Sequence, residues 1–571
     1  MTNETHDEGD LVSGWDGRTL KIGQFSVEQW TDGLWVLGLS LAALVLVLVG
    51  LGDMPLRDWD EGIVAQVARE IWRSQTGQTP DSLTWLYPTL NGAPYLNKPT
   101  LMHWLIAQCF GIGGVNEWMA RLPGALLSAL SVPLLYGIGR EVFLRRTPAI
   151  FAALIYLTLL PVIRHGRLAM LDGALVCFFL LMMYCLLRSR RDLRWGLGVG
   201  IGFGLTCLTK GAVGLLLAAI ALGFTLWDTP RLLTSGYLWT GVLLGSAPVV
   251  AWFWAQWQRY GALFIGVNVV DQSFSRLWVS VEGNQGPIWY YLVELLKYTL
   301  PWLIFLPQAL KLAWENRNWS WAKLVLVWSC IYFGVISLMG TKLPWYILPL
   351  YPALALASGA MLSQVWDVGD FYGVKHLSRQ RYPAAWMILF GLMAVFGWAA
   401  SLYLGLLSPM PQLHLSMLLG AIALTLSVAT ILLVQHDSQF ILVLFWGTYM
   451  TLGMVMMSPY WLWELQESFA VKPVAALIQQ QVPAGQTIMT SYPHSRPSLN
   501  FYSDRAVVSV KAYYDSRQIS LTTPEAVARY WQENTQPYLL LDEKTSKQVK
   551  LPSVRTLGNA EDFVLITRQK S

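Results

Sequence analysis

The chain has 571 residues, of which 54% are hydrophobic and 13% charged, with a formal net charge of +5. Soluble domains carry roughly 25% charged residues, so this composition excludes a wholly soluble protein, and so small a net charge gives no case for nucleic-acid binding. The five cysteines, Cys109, Cys177, Cys185, Cys207 and Cys330, lie in or beside apolar runs without CxxC spacing, which indicates neither a disulfide framework nor a zinc site.

In chain order, residues 1–33 are polar and mixed in charge and read as a cytoplasmic tail. Residues 34–52 carry no charge and are long enough to span, at about 20 residues per crossing. Next comes Asp58-Trp59-Asp60-Glu61, three carboxylates within four positions. Val64, Val67, Ala68 and Ile71 follow at helical spacing, with Gln66, Arg69, Glu70 and Arg73 on the other faces. That pattern predicts an amphipathic helix lying on the membrane surface, with acids at its N-terminus.

Residues 99–114 are apolar enough to span, but charge placement argues against it. If this segment stays interfacial or re-entrant, the arginine clusters at 140–146 and 188–194, and the later basic loops, all fall on the side of the N-terminus, as the positive-inside rule requires. Twelve further apolar runs between 118 and 459 give thirteen spans in all. The long run 195–227 is divided by a tight turn at Thr209-Lys210-Gly211. Tryptophans cluster at the ends of these runs, as interfacial anchors do.

The expected architecture is a mainly α polytopic membrane protein with a transmembrane domain over 34–459 and external interfacial helices within 58–114. An odd number of crossings puts residues 460–571 outside. That tail alternates helical runs, near 471–482 and 523–534, with short apolar runs near 486–490, 506–510, 537–541 and 563–567, the pattern of a small α/β domain. Its segment 491–505 is rich in groups that could face a substrate.

Several cations stand on the face that should be poor in them: Lys98, Arg164 and Arg167, Lys210, Arg276 and Lys342. A charge near hydrocarbon is costly unless paired, which makes such residues functional candidates. Asp60 and Asp172 share their face. Cations suit a phosphate headgroup, and a carboxylate accepts a proton from an attacking hydroxyl or amine. Together they suggest transfer of a group, such as a sugar, from a polyprenyl phosphate.

The ordered motifs Asp60-Glu61, Arg69-Glu70, Lys98-Pro99, Leu171-Asp172, Leu208-Thr209-Lys210-Gly211, Gln285-Gly286-Pro287-Ile288-Trp289-Tyr290-Tyr291 and Lys342-Leu343-Pro344-Trp345-Tyr346 resemble the bacterial lipid A aminoarabinose transferases and, more distantly, the protein O-mannosyltransferases. Both are GT-C glycosyltransferases. The resemblance implies inverting transfer from a polyprenyl-phosphate sugar to a lipid, glycan or protein acceptor at the external face of the plasma (inner) membrane. It implies Asp60 as the catalytic carboxylate with Glu61 beside it, Asp172 as a second essential acid, and Lys98, Lys210 and Lys342 around the donor phosphate with Tyr346 nearby. Arg276 joins the substrate-binding candidates as a cation of the same face. Where those relatives carry Glu before the Lys-Pro, this chain has Asn97, and the later loop Asp271-Gln272-Ser273-Phe274-Ser275-Arg276 has no His. Three positions after the catalytic Asp, where they carry Arg, it has Ile63. The resemblance therefore carries over no metal ligands, leaves divalent-metal use open, and fixes neither sugar nor acceptor. Two rival readings are a lipid or glycan transporter and a GT-C-like ligase using a pyrophosphate-linked oligosaccharide.

Overall fold

The computed structural model describes residues 21–22, 25–77, 82–280, 283–371, 382–462, 471–492 and 494–569. Helix α1 (Val27–Leu48) starts ahead of the first apolar run, inside the stretch expected to be tail. It does so because Asp32 is held within the helix by Tyr136, Arg140 and Arg146. Helix α2 (Asp60–Gln75) follows, then α3 (Leu101–Gly113), α4 (Glu117–Val142), the pair α5 (Thr147–Leu157) and α6 (Leu160–Arg167), α7 (Asp172–Arg188), α8 (Gly196–Lys210), α9 (Val213–Asp228) and α10 (Gly236–Tyr260).

Every apolar run expected to span contains a helix, but the helices do not all have spanning length. Seven described helices are long and apolar enough to cross, and the pair α5/α6, bent by 57°, makes up to eight. The run at 288–311 is broken into Tyr290–Tyr298, a tight turn at Trp302–Phe305, and Leu306–Glu315. Prolines mark these breaks: Pro161 in the first turn of α6 and Pro301 before the tight turn. Neither has an N–H to continue the preceding helix. The chain is a multi-pass membrane protein.

Helix α3, with 13 residues, reaches about 20 Å at 1.5 Å per residue, less than the ~30 Å hydrocarbon core. It packs under α2, where Val64, Ala65, Ala68 and Phe110 share a buried cluster with Phe501 of the C-terminal domain. Helices α8 and α10 approach backbone to backbone. A Cβ on Gly200 would lie 1.7 Å from the Gly241 carbonyl oxygen, and one on Gly204 would lie 2.1 Å from that of Gly245. Small residues four apart on both helices allow this contact, and it fixes the position of Lys210 at the end of α8.

The C-terminal region forms a five-stranded sheet in the order Val507–Ser509, Ile488–Thr490, Tyr538–Asp542, Phe563–Arg568, Val554–Ala560. The first three strands run parallel and the last two pairings are antiparallel. Helices Val471–Gln481 and Thr523–Glu533 fall where the periodicity predicts them, the second closed by a Thr522/Glu525 capping box. Strand Val554–Ala560 is mostly exposed and lacks an apolar run, so its sequence gives no strand signal. This domain rests on α2. A Cβ on Gly62 would lie 2.6 Å from the Ser498 amide nitrogen, so only glycine lets the two backbones touch.

Candidate active site

The first turn of α2 divides the acidic cluster among three jobs. Asp58, 4% exposed, accepts from the Ser498 hydroxyl at 2.6 Å and its amide at 3.2 Å, and pairs with Arg496 at 3.3 Å. Burial pushes its pKa above the usual carboxylate range, against the pull of Ser498 and Arg496. Asp58 therefore ties the C-terminal domain to the start of α2.

Glu61 is fully buried. It accepts from the Arg121 guanidinium at 2.7 and 2.8 Å, from the Arg57 amide at 2.9 Å and from the Ala169 amide at 2.8 Å. Burial raises its pKa, but Arg121 and these amides outweigh it and hold it below its ordinary value. Glu61 thus joins α2 to α4 and to the segment leading into α7. It is fully committed to protein donors.

Asp60 alone of the three lines a cavity of about 690 Å³. It keeps 26% side-chain exposure beside Arg57, at 3.7 Å. The same cavity is lined by Lys98, Asp172, Lys210, Arg276 and Tyr346, residues spread over almost 290 positions of sequence. The Lys210 ammonium donates to Asp172 Oδ1 at 2.6 Å and lies 5.2 Å from the centre of the Tyr346 ring. Arg276 donates to the Tyr346 hydroxyl at 3.0 Å. Asp172 heads α7 and Lys210 ends α8, which turns at Gly211 (φ +61°). An acid at a helix N-terminus and a cation at a helix C-terminus each complement the local dipole.

Lys98 is held half-buried at the cavity wall. Burial, reinforced by the nearby charges of Lys210 and Arg276 and only partly offset by Asp172, lowers its pKa to about 7. Burial is the larger cause of this depression and the neighbouring cations add to it, a setting an anionic ligand relieves.

Three other sequence candidates are placed elsewhere. Lys342 is 4% exposed and its ammonium donates to the carbonyls of Ile336 and Ser337 at 2.8 and 2.6 Å. It caps the end of helix Ser320–Leu338, and its backbone amide joins Asn284 at 2.9 Å. That pairing of loops holds Arg276 and Tyr346 together, so Lys342 supports the cavity from behind. Arg164 and Arg167 are buried and donate to the carbonyls of Trp461 and Leu46. Arg167 also lies 4.4 Å from the Trp461 ring centre. Both hold Trp461, in the turn Pro459–Leu462, against the helices. A cation beside a membrane boundary reads the same in sequence whether it meets a ligand or a helix end.

The cavity also uses residues that no charge pattern marks: Trp59, Tyr95, Gln272, Asn284 and Trp345. His494, from the polar segment 491–505, lines it as well and meets Trp59 edge to face at 5.9 Å. The C-terminal domain therefore contributes a wall. Asn97 lines the cavity with a neutral amide. Among the described residues no group of three His, Cys, Asp or Glu side chains gathers as a metal-ligand set.

Comparison with known proteins bears on this geometry. The family model described as dolichyl-phosphate-mannose-protein mannosyltransferase matches residues 97–254. The undecaprenyl phosphate-alpha-4-amino-4-deoxy-L-arabinose arabinosyl transferase 1 of Pseudomonas fluorescens is 30% identical over 345 residues, 57% of this chain and 60% of that protein. The corresponding transferase of Aeromonas salmonicida is 30% identical over 346 residues, 56% and 59% of the two chains. These alignments span about three fifths of the relatives' length. The crystal structure of ArnT from Cupriavidus metallidurans bound to undecaprenyl phosphate superposes with a TM-score of 0.72 at 20% identity, covering 95% of this chain and 98% of that one. The fold is the GT-C fold. The archaeal oligosaccharyltransferase AglB from Archaeoglobus fulgidus is a more distant likeness, with a TM-score of 0.51 at 14% identity over 90% of this chain and 70% of that one. The expected resemblance to the aminoarabinose and protein O-mannosyltransferases thus holds in both sequence and fold.

Proposed function

We propose that this protein is an inverting glycosyltransferase that moves a sugar from a polyprenyl-phosphate-sugar donor to an acceptor at the membrane face carrying the cavity. The observation that carries this reading is the meeting of Asp60 with Lys98, Lys210 and Arg276 in one cavity, in a chain similar to enzymes that use an undecaprenyl phosphate sugar. Three cations exceed what Asp172 neutralises, and the surplus suits a phosphate.

Asp60 is the proposed general base. It takes the proton of the acceptor hydroxyl or amine as that group attacks the anomeric carbon. The new bond forms from the acceptor atom to that carbon while the bond to the phosphate oxygen breaks, and the polyprenyl phosphate leaves with the electron pair. Lys98, Lys210 and Arg276 stabilise the charge gathering on the leaving phosphate. Asp172 positions Lys210, and Tyr346 positions Arg276. The lipid anchor keeps the donor at the cavity mouth and supplies proximity. No step requires a metal from this chain's own residues. The location that goes with this reading is the plasma (inner) membrane, with the cavity and the C-terminal domain on the external side.

Incubating the purified protein with an undecaprenyl-phosphate sugar and membrane lipids tests the proposal. Mass spectrometry is expected to find free undecaprenyl phosphate and an acceptor heavier by one sugar. A product heavier by an oligosaccharide would favour the ligase reading, and movement of lipid across vesicles without covalent product would favour the transporter.

A further inference from the structure

At the far ends of the helices that carry Asp172 and Lys210, a second charged cavity of about 660 Å³ is lined by Glu141, Arg190, Arg191, Asp228 and Arg231. Helix α7, with 17 residues, puts about 25 Å between Asp172 and this place at 1.5 Å per residue. Each carboxylate here is shared between two cations. Glu141 accepts from Arg188 at 3.1 Å and pairs with Arg191 at 3.2 Å. Asp228 accepts from Arg190 at 3.2 Å and from Lys323 at 3.4 Å. Arg231 stands exposed beside them in the turn Pro230–Thr234. Five cations thus meet two carboxylates; Asp192 and Arg194, adjoining them on the chain, cancel each other. Arg191 keeps 67% of its side chain exposed, so its guanidinium donors remain open to a further anion.

An apolar groove of about 330 Å³ between α7, α8, α9 and α10 adjoins this cavity along the same helix faces. On α7, Met182 and Leu186 line the groove, and Arg190, the next residue at that spacing, lines the charged cavity. On α9, Thr225 lines the groove and Asp228, three residues on, lines the cavity. Residues three and four apart share a helix face. The turn between α9 and α10 supplies Leu233 to the groove and Arg231 to the cavity. Along α9 the groove runs from Leu215 to Thr225, about 15 Å at 1.5 Å per residue. Leu215, Leu222 and Trp239 on its rim are exposed, and in a membrane-spanning bundle such a face meets hydrocarbon. Trp227 and Trp239 are both exposed at this end, as tryptophans at a membrane interface are, and the Trp239 indole donates to the Leu233 carbonyl at 2.7 Å. The charged cavity therefore stands at headgroup level and the groove at the level of the fatty chains.

We infer that this end of the bundle binds one anionic phospholipid, with its phosphate between Arg191 and Arg231 and a fatty chain in the groove. The surplus of positive charge selects a net negative headgroup over a zwitterionic one. The adjoining groove selects a lipid over a free anion. The lipid lies in the leaflet opposite the catalytic cavity, and its binding is independent of sugar transfer.

The test is native mass spectrometry of the full-length protein in detergent micelles, titrated with phosphatidylglycerol or with phosphatidylcholine of the same chains. One phosphatidylglycerol is expected to be retained, at least about tenfold more tightly than phosphatidylcholine. The double variant Arg191→Gln/Arg231→Gln is expected to weaken its binding about thirtyfold, a factor of about five for each basic residue at a membrane surface. Ala219→Trp, on the exposed side of α9, fills the groove and is expected to weaken it even if the arginine variant fails to insert. Lys98→Ala, in the catalytic cavity, is expected to leave it unchanged, which separates the two phosphate sites. Millimolar inorganic phosphate is expected not to displace the lipid. The inference is overturned by equal retention of the two lipids, by binding undiminished in the arginine or Ala219 variant, by loss of the signal in Lys98→Ala, or by displacement with phosphate.

Discussion

At the scale of single residues, the cavity separates groups that look alike in sequence. Asp60 and Glu61 are neighbours, yet one faces open space and the other is enclosed by four protein donors. Removing the charge of Glu61 leaves Arg121 buried without its counter-ion, and breaking such a pair costs about 3–5 kcal/mol. Glu61→Gln is therefore expected to lower the thermal unfolding midpoint sharply while leaving the turnover of the surviving folded fraction near wild type. A large loss of turnover at unchanged stability would instead put Glu61 in the chemistry. Lys98 makes a pH prediction. Its folded pKa of about 7 is depressed from the ordinary 10.5, so the ammonium is charged below pH 7 and largely neutral above it. An anionic phosphate favours the charged form, so binding above pH 7 draws a proton onto Lys98. Calorimetry of undecaprenyl phosphate binding at pH 8, in buffers of different ionisation enthalpy, is expected to show uptake of about one proton. Lys98→Arg, charged at every accessible pH, is expected to abolish that uptake.

At the scale of elements, α2 is the part on which the site depends. Its first turn holds Asp60, its middle packs on α3, and its polar stripe meets the C-terminal domain. The amphipathic period from Val64 to Ile71 made this helix legible in the sequence. The role of Gly62 was not, because nothing local shows that Ser498 approaches it. Gly62→Val is expected to push the two backbones apart, detach the C-terminal domain from α2 and make the protein more sensitive to limited proteolysis. Unchanged protease resistance would contradict that docking. The helices around the cavity were legible for a similar reason, since long apolar runs report burial. Their interruptions at Pro161 and Pro301 were harder to read, because a proline in an apolar run is compatible with a kink, a break or a helix start. Lys342 and Arg276 show the same limit: both read as cations of one face, but only the pairing of Gly340 with Leu277, Thr341 with Arg276 and Lys342 with Asn284 decides which of the two faces inward.

At the scale of the whole molecule, residues from positions 59 to 494 converge on a single cavity. Thirteen crossings were expected, and seven to eight of the described helices meet the length and apolarity needed to cross alone. Hydropathy reports how apolar a segment is, and that is the same for a short buried helix as for a span. The sidedness is open to direct test. In a Cys330→Ser background, Lys544→Cys on the C-terminal domain is expected to react with a membrane-impermeant maleimide in intact cells. Arg317→Cys, in one of the basic loops, is expected to react only after the membrane is opened. The reverse pattern would invert the proposed topology.

The central claim is that Asp60 accepts the acceptor's proton in a cavity that holds a lipid phosphate. The most direct measurement is the single-turnover rate of purified Asp60→Asn with an undecaprenyl-phosphate sugar, alongside its affinity for undecaprenyl phosphate. The amide keeps the shape and removes the base, and general-base catalysis contributes about 10²–10⁴-fold. Sugar transfer is expected to fall by at least about a hundredfold, with phosphate affinity and membrane insertion unchanged. A variant that transfers sugar at the wild-type rate would contradict the account.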